Sequence, residues 1–515
     1  MASEFLSVAA FLSLFWGLLF SLNFFIKRSN LRTKYERFLA IFGITVALGH
    51  VKIFTTSLNR FFARCSKCCP RWQRKWFCVG AIFGLVAMVS SVVILILSLW
   101  NTFTIERDKK QQEPHQKLTM VVPGLNLPSS QIVYMVLALL LSAVLHEAGH
   151  AVCAIGEGVK LNGFGLFLML VYPGAFVDLD TESLLNKQPV QQLRIYCAGV
   201  WHNFVILAIT YMLMTYLPAI LSPLYISGQG VMVRNVDPNS PLYSPVSFPV
   251  GTVVTDINRC PVTDSVSFWS CIHSVYSEDP NGFCVDLSVI EDTKRPEQMV
   301  KYADTTVPVE CCSPDNTGDL CFHFDTPTWS MSAEELIFSP PEKRHKNNFR
   351  CLNARKVVEN PECTDNRDCY LFYGEYSRCL LPSQANQSRL LRVSHSEGDE
   401  LLYIGDMFVF SYALALGNFV PVLPMLPQTL PDMILNLLNY LSSFSAALAL
   451  LNAVPCYTLD GQWIFSAMME FIAIVFKIDP SDKESIKVVV LSFGTLLLVA
   501  NVCVAFNNSI LHLGG

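Results

Sequence analysis

Long apolar runs, parted by basic or polar stretches, set out the plan of this chain. Phe5 to Ile26 is a first run of spanning length without the small-residue cleavage site of a removable signal, so it is expected to stay as an anchor. Phe38 to Phe54 is weaker and could cross, dip into or lie on a membrane. Phe77–Trp100, Ile132–Ile155, Ala198–Leu221, Pro431–Val454 and Ile486–Phe506 each approach the ~20 residues a helix needs to cross ~30 Å of hydrocarbon. Trp463–Phe476 is apolar but reads as packed inside a helical bundle. Gly163–Val177 is short and interrupted by Gly163, Gly165, Pro173 and Gly174, which predicts a hairpin or re-entrant segment at membrane depth. Such backbone survives there only where protein or a watery cavity satisfies it.

The period changes after Gly230. Val231, Val233 and Val236 alternate, Asn239-Ser240-Pro241 turns the chain, and Val253, Val254 and Ile257 follow, which predicts short strands. This segment is similar to the start of a PDZ-like domain, with Thr252 where Asp is usual and Cys260 where Gly is usual. A polar stretch from Cys260 to Arg392 would interrupt that domain, and Leu401–Leu416 would return to it as a strand. The expected class is therefore mainly α, a polytopic membrane protein with a helical core and a β-rich, PDZ-like, cysteine-rich insert. The expected divisions are 1–76, an anchor and basic segment; 77–223, the first half of the core; 224–430, the insert; and 431–515, the second half.

Composition sharpens this. The chain is 52% apolar and 15% charged with a formal net charge of −5, and it has no Lys/Arg stripe with interleaved aromatics, so nucleic acid is excluded as a partner. Lys27, Arg28, Arg32, Lys34, Arg37, Arg60, Arg64, Lys67, Arg71, Arg74 and Lys75 face almost no acid, which assigns the basic region between the first stretches and the Phe77 span to the cytosol. The spans then alternate, so Ile132–Ile155 ends on the cytosolic side and the insert lies in the lumen. Ten of the eighteen cysteines, from Cys260 to Cys379, fall in the insert, and an even set there predicts disulfides of open connectivity in an oxidising compartment. The sequon Asn386-Gln387-Ser388 agrees and makes Asn386 a candidate glycosylation site.

The candidate chemistry sits in the Ile132–Ile155 span as His146-Glu147-Ala148-Gly149-His150. Residues four apart stand on one helix face about 6 Å apart, so two imidazoles can grip one metal ion, while Glu147 is placed as a general base. Ionisable groups within hydrocarbon are costly enough to read as functional. A catalytic zinc takes three protein ligands and keeps one position open. Asp460, in Leu459-Asp460-Gly461 just after the Pro431–Val454 span, is the expected third ligand, because a carboxylate there would lie at the same membrane depth as His150. Asn203 and Asn452 serve equally well as interhelix hydrogen-bonding groups or as site groups. His202, Cys153 and Cys197 read as packed residues.

These residues resemble the site-2 protease family of membrane-embedded zinc metalloproteases. His146, Glu147 and His150 match its His-Glu-x-x-His, Leu459-Asp460-Gly461 its Leu-Asp-Gly, Gly199 and Asn203 its Gly-x-x-x-Asn, and Asn452 its upstream Asn. The resemblance runs from about Phe77 to Phe506, and the cysteine-rich insert looks like the animal branch, although the serine run of some relatives' first lumenal loop is missing. It implies one zinc ion on His146, His150 and Asp460, Glu147 as base, and Asn203 and Asn452 on the substrate carbonyl and its oxyanion. It further implies single-pass substrates in the bilayer, namely tethered transcription factor precursors of sterol and unfolded-protein signalling, cut after a lumenal trim to release a cytosolic fragment. The expected location is the Golgi or the endoplasmic reticulum, with no small-molecule cofactor besides zinc. Two other classes fit the intramembrane charges: a metal or proton transporter, disfavoured by the lack of repeated halves, and an inactive helix-binding chaperone, which has no use for the base.

Overall fold

The structure, a computed structural model, describes residues 2–105, 129–238, 240, 250–277, 281–293, 311–312, 318–324, 349–383, 388–396 and 400–513. The chain forms two compact units, Met1–Tyr216 with Met433–Gly515, and Leu217–Asp432. It is mostly helical, and among the described residues five helices are long and apolar enough to cross a membrane.

In the first unit the helices are α1 (Ala2–Arg28), α2 (Arg32–Phe42), α3 (Asn59–Lys67), α4 (Pro70–Ile105), α5 (Ile132–Gly156), α6 (Thr181–Leu185), α7 (Pro189–Leu221), α8 (Leu430–Ala453), α9 (Asp460–Phe476) and α10 (Pro480–Leu513). The candidate spans are in α4, α5, α7, α8 and α10. Proline opens α4, α7 and α10, where its missing N–H would have had no helical partner. α4 and α7 start seven and nine residues before the apolar runs that announce them, because Arg71, Arg74 and Lys75, or Gln191 and Arg194, continue the helix beyond the apolar part. Much of the apolar surface faces outward, as at Val79, Ile82, Val86 and Val89 of α4, which suits contact with lipid.

Lipid gives helices no hydrophobic reason to associate, so close packing must hold them together. Gly80 and Gly84 supply it on α4. A side chain on Gly80 would stand 2.7 Å from Cγ of Trp201, and one on Gly84 would meet Cys197, both on α7. Buried Ala87, Cys197, Val200, Ala453, Ile464, Phe465 and Leu491 then join α4, α7, α8, α9 and α10 in one core. Asn501 of α10 donates to the Leu95 carbonyl of α4 at 3.2 Å.

The run Phe38–Phe54 does not cross. It ends α2 at Gly43, which takes a left-handed conformation where a side chain would strike the Phe54 carbonyl. It then forms β1 (Ile44–Ala47) and β2 (His50–Thr55). Gly163–Val177 falls in the hairpin of β3 (Leu161–Met169) and β4 (Tyr172–Leu179), and the four make one antiparallel sheet in the order β1-β2-β3-β4. Its glycines have a packing cause: Phe54, Phe176 and Phe167 lie over Gly163, Gly165 and Gly174. β4 is an edge of this sheet and packs on α5.

Among its described residues the second unit holds two antiparallel sheets. β5 (Tyr225–Val236), β6 (Val253–Ile257) and β7 (Cys260–Pro261) begin the first, and β13 (Ser388–His395), β14 (Leu401–Asp406) and β15 (Leu414–Pro421) complete it in the order β14-β13-β6-β5-β15, with β7 beside β6. Between them the chain builds a second sheet from β8 (Gly282–Asp286), β9 (Asp319–His323), β10 (Phe349–Asn353), β11 (Glu362–Cys363) and β12 (Ser377–Pro382). All ten cysteines of this region pair, as Cys260–Cys271, Cys284–Cys369, Cys311–Cys321, Cys312–Cys351 and Cys363–Cys379. Leu401–Leu416 is not one strand. A helix, Met407–Ala413, intervenes, capped by the Asp406 carboxylate accepting from the Phe408 N–H and burying Met407 and Phe410 in the first sheet's core. Asn386 lies outside the described residues.

Candidate metal centre

α5 presents His146 and His150 one turn apart, and Asp460, the first residue of α9, meets them from the far end of the sequence. Oδ2 of Asp460 lies 2.8 Å from Nε2 of His146 and 3.2 Å from Nε2 of His150, and the two Nε2 atoms are 3.2 Å apart. Tetrahedral bonds of ~2.0–2.1 Å would put such ligand atoms roughly 3.3–3.4 Å apart, so the observed triangle is only slightly tighter. The three residues can hold a metal ion.

The surrounding hydrogen bonds prescribe the same arrangement. Nδ1 of His150 is 2.7 Å from the Ile195 carbonyl, which can only accept, so Nδ1 carries the proton and a neutral ring leaves Nε2 a lone pair. Nδ1 of His146 is 3.0 Å from the side-chain amide of fully buried Asn203, whose Oδ1 has no partner among the described residues. A half-turn of that amide places Oδ1 on the Nδ1–H of His146, satisfies the orphaned oxygen, and again frees Nε2 for a metal. Oδ2 of Asp460 faces both rings, so the carboxylate meets them as the charged member of the set, the form in which it ligates a metal.

Glycines make room for this cluster. At Gly199 of α7 a side chain would overlap Nε2 of both histidines, so the bare backbone there leaves the space an ion needs. A side chain on Gly149 would stand 2.6 Å from Nδ1 of His202 and 2.8 Å from the Ala198 carbonyl, so this glycine sets the approach of α5 to α7. Gly461 lets the start of α9 lie against the Val454 backbone, and α10 backs the linker, with Gly494 beside the Pro455 carbonyl and Thr495 Oγ1 accepting from the Tyr457 N–H at 3.1 Å. Across α5 and α8, Ser142 and Ser445 share a buried hydrogen bond of 3.0 Å.

Glu147 is half-buried beside the triad, and its Oε2 accepts from the Val177 N–H of β4 at 3.0 Å. Asn452 sits half-buried in the last turn of α8, and among the described residues no hydrogen bond ties its side chain to the triad. The structure thus brings together His146, His150, Asp460, Asn203 and, through β4, Glu147. Cys153 and Cys197 are buried packing residues. Sequence reasoning gave no part to Gly149, although it lies within the helix motif, nor to the Ile195 carbonyl and the Val177 N–H, which as backbone groups leave no mark in a sequence.

Just past the end of α5, Glu157 accepts from Arg194 at 2.6 Å and from Gln191 at 2.9 Å. Burial pushes the Glu157 carboxyl up, but these bonds and the Arg194 charge outweigh it and leave its pKa below the ordinary value.

Residues 134–500 match the family model described as peptidase family M50. A membrane-bound transcription factor site-2 protease homolog of Arabidopsis thaliana is 24% identical over 475 residues, covering 82% of this chain and 85% of its own length.

Proposed function

As the chain belongs to peptidase family M50, the site-2 protease family, we propose that it is an intramembrane zinc metalloendopeptidase that cuts a substrate's membrane-spanning helix near its cytosolic end. The observation that carries this reading is the convergence of His146, His150 and Asp460 between apolar helices, with a carboxylate, Glu147, beside them. The donor set of two imidazoles and one carboxylate suits zinc, which supplies Lewis acidity that acidifies water and polarises a carbonyl.

The chain's own groups do the rest. Glu147 takes the proton of the attacking water and returns it to the departing amine, while the Val177 N–H holds its carboxylate in place. Asn203 keeps His146 in the tautomer that frees Nε2. Asn452 is assigned to the substrate carbonyl, on the strength of its match to the family motif. A helical substrate shields its peptide bonds with its own hydrogen bonds, so it must unwind before cleavage, and the open edge of β4 beside Glu147 offers the unwound strand a partner.

The finer reading is that the substrates are membrane-tethered transcription factor precursors, first trimmed on the lumenal side, in the Golgi or endoplasmic reticulum. It is supported by the name of the Arabidopsis relative, and by the disulfide-rich Leu217–Asp432 unit, which suits an oxidising lumen. The six-stranded sheet interrupted by a second sheet supports a PDZ-like docking or size-filtering role for that unit. The deciding experiment follows cleavage of a reporter membrane substrate by the zinc-loaded protein and by Glu147→Gln, which should lose about 10²–10⁴-fold in rate. Equal rates would overturn the proposal.

A further inference from the structure

Eight cysteines lie outside the disulfides, and three of them, Cys65, Cys68 and Cys69, are exposed within five positions where α3 meets α4. Cys153, Cys197 and Cys456 are buried, so this junction concentrates the accessible thiols of the chain. Two further observations mark it as a membrane boundary. Arg60, Arg64, Lys67, Arg71, Arg74 and Lys75 flank the thiols, on the side assigned to the cytosol, where anionic leaflets attract basic clusters. Trp72 and Trp76 stack on each other at 5.2 Å, and paired indoles of this kind belong at the headgroup level. The three thiols also line a groove of about 310 Å³ whose other walls include Trp72, Trp76, Phe77 and Val152. A thiol at the mouth of an apolar groove, level with the lipid surface, is placed to carry a hydrocarbon chain.

We propose that Cys65, Cys68 and Cys69 form an S-acylation site, taking a long-chain fatty acyl group from an acyl-coenzyme A thioester. A cysteine thiolate attacks the thioester carbonyl, a new bond forms from Sγ to the acyl carbon, and the bond to the coenzyme sulfur breaks. Coenzyme A departs as its thiol with the proton the cysteine gave up, and nothing is oxidised or reduced. The methylenes enter the groove between α4 and α5 or the adjoining leaflet, while the basic side chains remain with the headgroups. A metal is a poorer occupant: among the described residues, neither group of His, Cys, Asp and Glu able to hold an ion includes any of these three thiols. The inference rests on the topology assigned by the basic residues and is independent of the protease reading.

The test uses the full chain expressed in cultured eukaryotic cells. Free thiols are blocked, thioesters are cleaved with hydroxylamine, and the thiols released are tagged with a mass label and read on a gel. The wild type should show a hydroxylamine-dependent shift that the Cys65→Ser, Cys68→Ser, Cys69→Ser triple variant loses and a Cys78→Ser, Cys503→Ser variant keeps. Peptide mapping of the wild type needs no variant and should place the acyl mass on residues 65–69. A wild type with no acyl mass there, a shift undiminished in the triple variant, or thiol-bound zinc at this junction in place of an acyl group would overturn the assignment.

Discussion

Gly199 lies so close to His146 that a single methyl group on its α-carbon would overlap Nε2, the atom that faces Asp460. The same methyl would meet Nε2 of His150. Gly199→Ala should therefore abolish stoichiometric zinc while leaving the helices of the bundle assembled, since its one added carbon meets the two imidazole side chains, which can turn aside, and no backbone atom is among its nearest neighbours. Elemental analysis of purified protein, paired with resistance to limited proteolysis, checks this. Full zinc occupancy in the variant would mean the ion lies elsewhere.

Asn203 separates two roles that its motif alone leaves joined. If it orients His146, then Asn203→Leu removes the acceptor for Nδ1–H and should weaken zinc binding by about 10–100-fold, as losses of a ligand's own hydrogen-bond partner do. Asn203→Asp keeps an acceptor there and should retain zinc. A competitive chelator titration on both variants gives the affinities. Unchanged affinity in the leucine variant, with activity lost, would return Asn203 to the substrate oxyanion.

The residues proposed to carry chemistry stood out because ionisable side chains are too costly in lipid to sit there as mere packing. His146, Glu147, His150 and Asp460 could be singled out in this way, and the even set of ten cysteines announced disulfides though not their pairing. The stretch Phe38–Phe54 was harder to read, because a run that is a short piece of helix followed by a hairpin has neither period for long enough to be distinctive, and its partner β3 lies more than a hundred residues on. Leu401–Leu416 misled for the opposite reason: Met407 and Phe410 are apolar enough to suit a strand, and only the Asp406 cap turns that piece into a helix. Gly80 and Gly84 carry no chemistry, and their value appears only when Trp201 and Cys197 are seen against them.

Glu157 and Arg194 should give the bundle an acid limit. The Glu157 carboxyl has its pKa depressed in the folded protein, so its contribution is complete above the ordinary glutamate value, ~4.3, and drains away as pH falls through the lower folded value. The thermal midpoint of detergent-solubilised protein should fall as pH drops below about 4.3, and Glu157→Gln should flatten that part of the curve. A variant whose midpoint falls as steeply as the wild type would show that other carboxylates set the limit.

Val177 tests whether β4 serves the base. Its N–H points away from β3 and toward Glu147, so Val177→Pro removes that one donor while leaving the pairing of β3 with β4 intact, and proline is tolerated on an edge strand with its nitrogen outward. The triad is untouched, so zinc content should match the wild type. Without its anchor the Glu147 carboxylate samples positions away from the attacking water, and kcat on a reporter substrate should fall by about 10–100-fold, part of what a placed general base contributes. Val177→Ala keeps the N–H and should stay near the wild-type rate. If Val177→Pro turned over at the wild-type kcat, the contact between strand and base would be a packing feature with no part in the reaction.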